Sequence, residues 1–389
     1  MGTDLDIAYE GREHSGIKHA LLKAYLEKLL LIKGMKDTQN FTYVDCFAGP
    51  WDDESDDFHA TSIAISLGIL KKVRDALAAQ GKYTSMKAIY IEKSKASFSQ
   101  LESYLKSSSP SGIQSIPIHG DYADKTDEIL RHCQGSFTFF FVDPKQWTPI
   151  SIPKLLPLLA RDNSEFVINF MYDFFQRALP QHNEKLRVSI RSLLGTITDE
   201  EISGICSLNP DAKEQAIVRK YRESLKANMP KQPKRMPRSY HATILDKDKE
   251  KTKYHLVYLT CHSKGVVEFA RLSEGVAIIQ RKVRFDAKQA KTGIADMFGI
   301  DDATIMQLEA ADTEDVKRYW MKTLGIAEKI YTEDDLADML EDTDWLISDF
   351  ERAFMALQTE GKAENLDADR KRSVHPVNFK NGERLRRCV

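Results

Sequence analysis

No two cysteines of this sequence are spaced as CxxC. The five, Cys46, Cys133, Cys206, Cys261 and Cys388, are odd in number and scattered. Neither a disulfide framework nor a zinc cluster is built that way, so the thiols are expected to be reduced and no metal site is expected. Long apolar runs are missing as well. A stretch such as Leu29–Ile32 is far too short to cross a bilayer, and the first residues lack the basic, apolar, small order of a signal peptide. A soluble cytoplasmic protein is the expectation. An excess of one charge is also lacking: 56 basic residues stand against 58 acidic, so any hold on nucleic acid has to come from a local patch. No internal repeat and no long low-complexity segment interrupts the chain. What remains, 389 residues with 42% apolar and 29% charged side chains, is ordinary globular composition and enough for two domains.

Apolar residues at Ile17, Leu21, Leu22, Tyr25, Leu26, Leu29 and Leu30 fall at helical spacing. A strand over Phe41–Cys46 follows and stops at Phe47-Ala48-Gly49-Pro50. Helix returns over Ser62–Ala78, strand over Lys87–Ile91, helix over Lys95–Leu105, strand over Ile116–His119 and helix over Lys125–His132. Phe137–Val142 and Phe166–Met171 read as strands buried on both faces, with a helix around Leu155–Leu159 between them. This alternation is that of βαβ units and a parallel sheet. The expected fold is therefore a Rossmann-like α/β sheet covering residues 1–175. Residues 176–236 are expected as a helical insertion. Tyr240–Leu245 and Tyr254–Thr260 read as an antiparallel hairpin added to the sheet edge within 237–272, as in class I methyltransferase sheets. Residues 273–319 are expected to connect to a module at 320–389. There Asp334–Leu340 and Trp345–Leu357 read as helices, and Val374–Phe379 and Arg384–Cys388 read as strands around the turn Asn381-Gly382. Two helices followed by a hairpin suggest a winged helix.

In open parallel sheets ligands bind at the carboxyl ends of the strands, so polar residues at strand ends are the candidates. Asp45, ahead of Phe47, Ala48, Gly49 and Pro50, combines an acid with a tight turn that lets backbone approach a ligand. A ligand-free strand-to-helix turn is the plainer alternative. Glu92 ends the second strand, where a carboxylate can take two ribose hydroxyls; there the plain alternative is a helix cap. Asp121, after His119-Gly120, can accept from an adenine amine. Asp143-Pro144 ends the fourth strand, where an acid can take a proton or hydrogen bond from a nucleophile. Trp147 offers a stacking surface, and Asn169 lies at the end of the fifth strand. Basic segments at Lys231–Arg238, Arg281–Arg284 and Arg384–Arg387 are candidate phosphate contacts. His14 and His19, five apart, do not form a helical metal pair.

These residues carry a resemblance. His14-Ser-Gly-Ile-Lys-His19, Tyr43-Val-Asp-Cys-Phe-Ala-Gly-Pro-Trp51, Asp143-Pro-Lys-Gln-Trp147, Val167-Ile-Asn-Phe-Met-Tyr172 and Phe379-Lys-Asn-Gly-Glu-Arg-Leu-Arg386 resemble the three-Cys-motif partner protein family, TcmP, over nearly the whole chain. The resemblance implies a class I methyltransferase-like fold, S-adenosylmethionine as cofactor, and a radical-SAM-like partner that carries the three cysteines itself. It makes Asp45 and Gly49 cofactor-loop residues and Asp143 the acid of the fourth strand. The chain departs from the family where Trp51 replaces a second Gly and where Gln146 replaces the Gly before Trp147. The leading expectation is a methyltransferase acting on nucleic acid or a nucleic-acid-associated substrate. A non-catalytic adaptor with a degenerate methyltransferase fold is the rival, and a metal-dependent nuclease using Asp143 is a third reading.

Overall fold

Runs of β-branched and aromatic residues separated by amphipathic helices leave one economical solution, a sheet covered on both faces. The computed structural model describes residues 13–36, 38–49, 61–181, 183–231, 236–246, 251–292, 311–372 and 374–388. It divides into two units, one ending at Cys261 and one beginning at His262.

In the first unit, helix α1 (Glu13–Met35) precedes β1 (Asn40–Asp45), α2 (Ser62–Ala78), β2 (Ser85–Glu92), α3 (Lys95–Ser108) and β3 (Ile113–His119). Then come α4 (Thr126–His132), β4 (Phe137–Val142), α5 (Ile152–Leu159) and β5 (Ser164–Phe170). Helices α6 (Tyr172–Ala178), α7 (Glu184–Leu194), α8 (Asp199–Ser207) and α9 (Pro210–Ala227) lead to the hairpin β6 (Arg238–Leu245) and β7 (Thr252–Thr260). Among the described residues seven strands form one sheet in the order β3-β2-β1-β4-β5-β7-β6. Neighbours from β3 to β5 run parallel, and β7 is antiparallel to both β5 and β6. The order reverses between β1 and β4, the topological switch point of such sheets. With the antiparallel β7 inserted beside β5, this is the class I methyltransferase-like variant of the Rossmann arrangement, and the edge hairpin stands where the sequence expects it.

Strand alternation assigns the two faces. Val44, Ile89, Phe140, Phe166, Phe170 and Val257 share a core with Ile129 of α4, Leu155 and Leu158 of α5, and Leu193, Ile202 and Tyr221 of α7 to α9. The segment expected as an insertion thus buries its apolar stripe against the sheet itself, and the Tyr221 hydroxyl donates to the Ile150 carbonyl at 2.8 Å. On the opposite face Tyr43 stacks on Phe139, and Tyr25 of α1 lies 6.0 Å from the Phe139 ring. All six residues of β4 and all seven of β5 are buried, as continuous apolar runs demand of central parallel strands.

The second unit holds α10 (Ser263–Thr292), α11 (Thr313–Thr323), β8 (Lys329–Tyr331), α12 (Glu333–Asp342), α13 (Ile347–Thr359), β9 (Ala363–Asn365) and β10 (Glu383–Arg387). The boundary expected at residue 272 falls inside the single helix α10. Among the described residues three short strands form a sheet ordered β8-β10-β9, antiparallel throughout. Trp320 centres the core: its indole N–H donates to the Phe350 carbonyl at 3.0 Å, and its ring lies 5.1 Å from Phe354. One expectation is corrected here. The strands that pair with β10 are Lys329–Tyr331 and Ala363–Asn365, not Val374–Phe379. The Glu383 carboxylate draws in the Asn378 N–H, the Asn365 amide and Arg372. Those bonds hold residues 376–378 as loop, where the sequence had suggested strand.

Candidate functional site

Alternation along β1 puts Phe41, Tyr43 and Asp45 on the α1/α2 face, so the acid at the strand end points beneath these helices rather than out to water. Asp45 is fully buried. Its Oδ1 accepts the Phe47 N–H at 3.0 Å, and its Oδ2 accepts the Ser62 hydroxyl from the start of α2 at 2.7 Å. Burial pushes its pKa up to about 6; the two hydrogen bonds and nearby Lys18 pull the other way, and Asp143 adds to the rise. Among the described residues both of its direct hydrogen-bond donors are neutral, so this buried carboxylate has room for a cationic partner.

The loop after Asp45 stays tied to both neighbouring strands. Cys46 N–H donates to the Phe141 carbonyl at 3.0 Å and Ala48 N–H to the Ile91 carbonyl at 2.8 Å. Ala48 is buried, and the Phe47 ring meets Tyr122 edge-on at 5.3 Å. Gly49 lies directly against Glu92: a Cβ there would meet Oε2, so a side chain at this position would push the Glu92 carboxylate out of its place. Glu92 Oε1 accepts the Ser94 N–H at 2.5 Å, while the cap of α3 is Ser94 itself, whose hydroxyl accepts the Ser97 N–H; Oε2 has no partner among the described residues. Gly120, at φ +142°, turns the chain after β3, and its N–H donates to the Glu92 carbonyl at 2.9 Å. Asp121 beyond it accepts the Ala123 N–H and the Lys93 ammonium, both at 3.1 Å. Pro50 and Trp51 lie outside the described residues.

At the ends of β4 and β5 the pairing of Val142 with Ile168 sets Asp143 beside Asn169. Asn169 Nδ2 donates to Asp143 Oδ1 at 2.6 Å, and Lys18 Nζ of α1 reaches Oδ2 at 2.5 Å. Asn169 is buried, and its Oδ1 has no hydrogen-bond partner among the described residues. Both Asp143 oxygens are therefore already engaged, one by a cation and one by an amide. Among the described residues no group of three or more His, Cys, Asp or Glu is placed to hold a metal. Pro144 is buried. Trp147 is only 7% exposed and packs edge-on to Phe175 at 5.2 Å in the core.

The structure thus groups Asp45, Phe47, Ala48, Gly49, Glu92 and Asp121 at the ends of β1 to β3, and Asp143 with Asn169 at β4 and β5. Sequence reasoning missed two members, Lys18 and Ser62. Lys18 had a signal. It stands four residues before Leu22 and seven before Tyr25, on the apolar stripe of α1, and a lysine on a buried stripe asks for an anion. Ser62 belongs to the Thr61-Ser62 pair of the family resemblance, but its bond to Asp45 was not readable, because it spans a stretch whose course the sequence does not set.

The candidate phosphate contacts fare less well. Arg384 pairs with Asp367 at 2.7 Å and Arg386 with Glu364 at 2.7 Å, while Arg387 donates to the Met321 carbonyl at 3.2 Å. Arg281 and Arg284 are buried in α10. Residues 232–235 lie outside the described residues.

The sequence matches no family model, and no curated relative matches it. Among solved structures it is similar to a protein of Legionella pneumophila str. Philadelphia 1, at 12% identity and a TM-score of 0.32, over 62% of this chain and 83% of that one. It is also similar to an O-methyltransferase from Bacillus cereus in complex with S-adenosylhomocysteine, at 14% identity and a TM-score of 0.31, over 62% and 80%. A third likeness is to the O-methyltransferase TomG of Streptomyces achromogenes, involved in tomaymycin synthesis and in complex with S-adenosylmethionine, at 12% identity and a TM-score of 0.29, over 61% and 79%. The fold rests on strand order and direction, not on these likenesses.

Proposed function

We propose that the first unit is a methyltransferase that binds S-adenosylmethionine across the carboxyl ends of β1 to β3 and turns its methyl group toward Asp143 and Asn169. The observation that carries this reading is Asp45, a buried carboxylate whose direct donors among the described residues are both neutral, beside Gly49, where Glu92 Oε2 lies in the space a Cβ would fill. A ligand bearing an ammonium and a ribose suits that pair. Asp45 would take the ammonium, Glu92 Oε2 a ribose hydroxyl, and Asp121 the adenine amine. Bound there, the sulfonium supplies an activated methyl group. The chain's part is to bind, orient and exclude water.

Calorimetric titration with S-adenosylmethionine and S-adenosylhomocysteine tests the reading. Micromolar binding is expected, weakened at least tenfold in Asp45→Ala, about 1.4 kcal/mol or more. Absence of binding in the wild-type chain sinks it and favours the adaptor reading.

The raised pKa of Asp45 gives a second expectation. Below about pH 6 the carboxyl takes up a proton and can no longer pair with an ammonium. Affinity should therefore fall by up to about tenfold per pH unit from pH 6 downward, and Asp45→Asn should bind weakly and flatly across pH 5–8. Stability should move the opposite way. The folded pKa lies above its ordinary value, so the fold disfavours the ionised form. That penalty is absent below about pH 4, grows through pH 6 and is complete above it. Asp45→Asn should then melt higher than wild type at pH 7.5, and a lower melting point at that pH would contradict the assignment.

For the second unit we propose a winged helix. Support comes from its order of helix, strand, two helices and two strands, with β10 between β8 and β9. The acid-paired arginines of β10 favour a protein partner over nucleic acid. The TcmP resemblance supplies the candidate, a radical-SAM-like protein with the three cysteines. A nucleic-acid-associated substrate stays part of the reading, to be tested by the salt dependence of binding.

A further inference from the structure

Resting on the cofactor reading above, we propose that the methyl acceptor is a neutral N–H nitrogen, an aryl or exocyclic amine, held by Asn169 Oδ1 with Asp143 beside it.

Three observations carry this. Asn169 is 2% exposed, yet its Oδ1 finds no partner among the described residues. A buried carbonyl oxygen left unpaired carries an uncompensated desolvation cost, so this atom calls for a donor from outside the described residues. The amide is not free to turn: its Nδ2 is fixed by Asp143 Oδ1 at 2.6 Å, so the oxygen has to point away from the carboxylate. Asp143 in turn has Lys18 on its other oxygen at 2.5 Å. Each carboxylate oxygen retains one further lone pair. The bond from Asn169 Nδ2 to Asp143 Oδ1 ties the two side chains together at the ends of β5 and β4, so a carbonyl and a carboxylate acceptor belong to one site. Two acceptors match the two hydrogens of an amino group.

The base strength of the site separates an amine from a hydroxyl. An amide oxygen does not remove a proton at neutral pH, and the carboxylate joined to it is already ion-paired. A phenol, with a pKa of about 10, needs its proton removed before it attacks well. A neutral amine does not, because it attacks with its own lone pair while its hydrogens remain on the two acceptors. The balance is simple. The nitrogen lone pair forms the N–CH3 bond, the S–CH3 bond breaks and its electron pair stays on sulfur. The sulfonium becomes a thioether, and the methylated, now cationic nitrogen gives one proton to Asp143 or to water.

The test uses the full chain saturated with S-adenosylhomocysteine, so no turnover is read. Aniline and phenol, equal in ring and differing in N–H against O–H, are titrated by calorimetry. In parallel the side-chain carboxamide resonances of Asn169 are followed in 15N,13C-labelled protein. Aniline is expected to bind at least fivefold tighter than phenol and to move the Asn169 carbonyl resonance. Asn169→Leu should erase the preference, while Asn169→Asp, which keeps an oxygen acceptor, should retain it. Equal affinity for the two probes, or a preference that survives Asn169→Leu, overturns the proposal. If Asn169→Leu does not fold, the wild-type carbonyl shift decides alone. Failure of the wild-type chain to bind S-adenosylhomocysteine overturns the cofactor reading only, and the same titrations on the unloaded chain then decide the amine site.

Discussion

Lys18→Met is expected to destabilise the protein by about 2–4 kcal/mol in urea unfolding at pH 7.5. Breaking a buried ion pair by removing one partner costs about 3–5 kcal/mol, because the other charge stays buried without compensation. The Lys18 and Asp143 side chains are 13% and 17% exposed, so some water reaches the stranded carboxylate and trims that figure. Methionine keeps the length and apolar stem of lysine, which leaves packing on the α1 stripe nearly intact. The double variant Lys18→Met/Asp143→Asn removes both charges and keeps an acceptor for the Asn169 amide. It should recover at least half of the loss, since a buried pair is worth much less against a neutral replacement than against a half-broken one. A single-variant loss below about 0.5 kcal/mol would make the pair an ordinary surface contact, and Asp143 would then need another explanation for its place.

That pair shows what the sequence makes legible and what it hides. The strand ends were readable because a parallel sheet forces its polar residues to the rim: Phe137–Val142 could only be a buried strand, so Asp143 had to follow it. A parallel sheet with a late antiparallel hairpin at its edge could be anticipated from the βαβ rhythm; the order of its strands could not. Partnerships were not readable. Lys18 and Asp143 are 125 positions apart, and only the packing of α1 on β4 and β5 brings them together. The surroundings of Trp147 were not readable either, because an aromatic residue near a presumed site reads equally as a stacking surface and as core; in the structure it packs against Phe175 of α6. The terminal hairpin was misjudged for the reverse reason. Asn381-Gly382 does precede a strand, but the loop before it is fastened by Glu383 rather than by a ladder.

The anchor that presents Lys18 to Asp143 is itself a buried polar knot, and Glu165→Ala should be the more damaging change, at about 3–5 kcal/mol. Glu165, at the start of β5, accepts the Tyr25 hydroxyl at 2.8 Å and the Tyr258 hydroxyl at 2.9 Å on Oε2, and the Thr260 hydroxyl at 3.1 Å on Oε1. Burial first, and the nearby Glu165 charge second, hold the Tyr25 and Tyr258 hydroxyls well above their ordinary pKa, so both remain donors at every working pH. Alanine removes the acceptor for three buried hydroxyls at once. Tyr25 and Tyr258 can still bond each other, but Thr260 is left without that acceptor, and a cavity opens between α1, β5 and β7. Glu165→Gln keeps the shape and one oxygen, so it should cost only about 1 kcal/mol. The consequence reaches the site through geometry. Tyr25 lies two turns after Lys18 on the same stripe of α1, so freeing Tyr25 frees the helix face that carries the lysine. In Glu165→Ala, hydrogen exchange should therefore rise along α1 before it rises in β4, and S-adenosylhomocysteine should bind more weakly than to Glu165→Gln. Equal protection of α1 in both variants would mean that packing against Phe139 alone fixes the helix, and that the knot stabilises the sheet without setting the site.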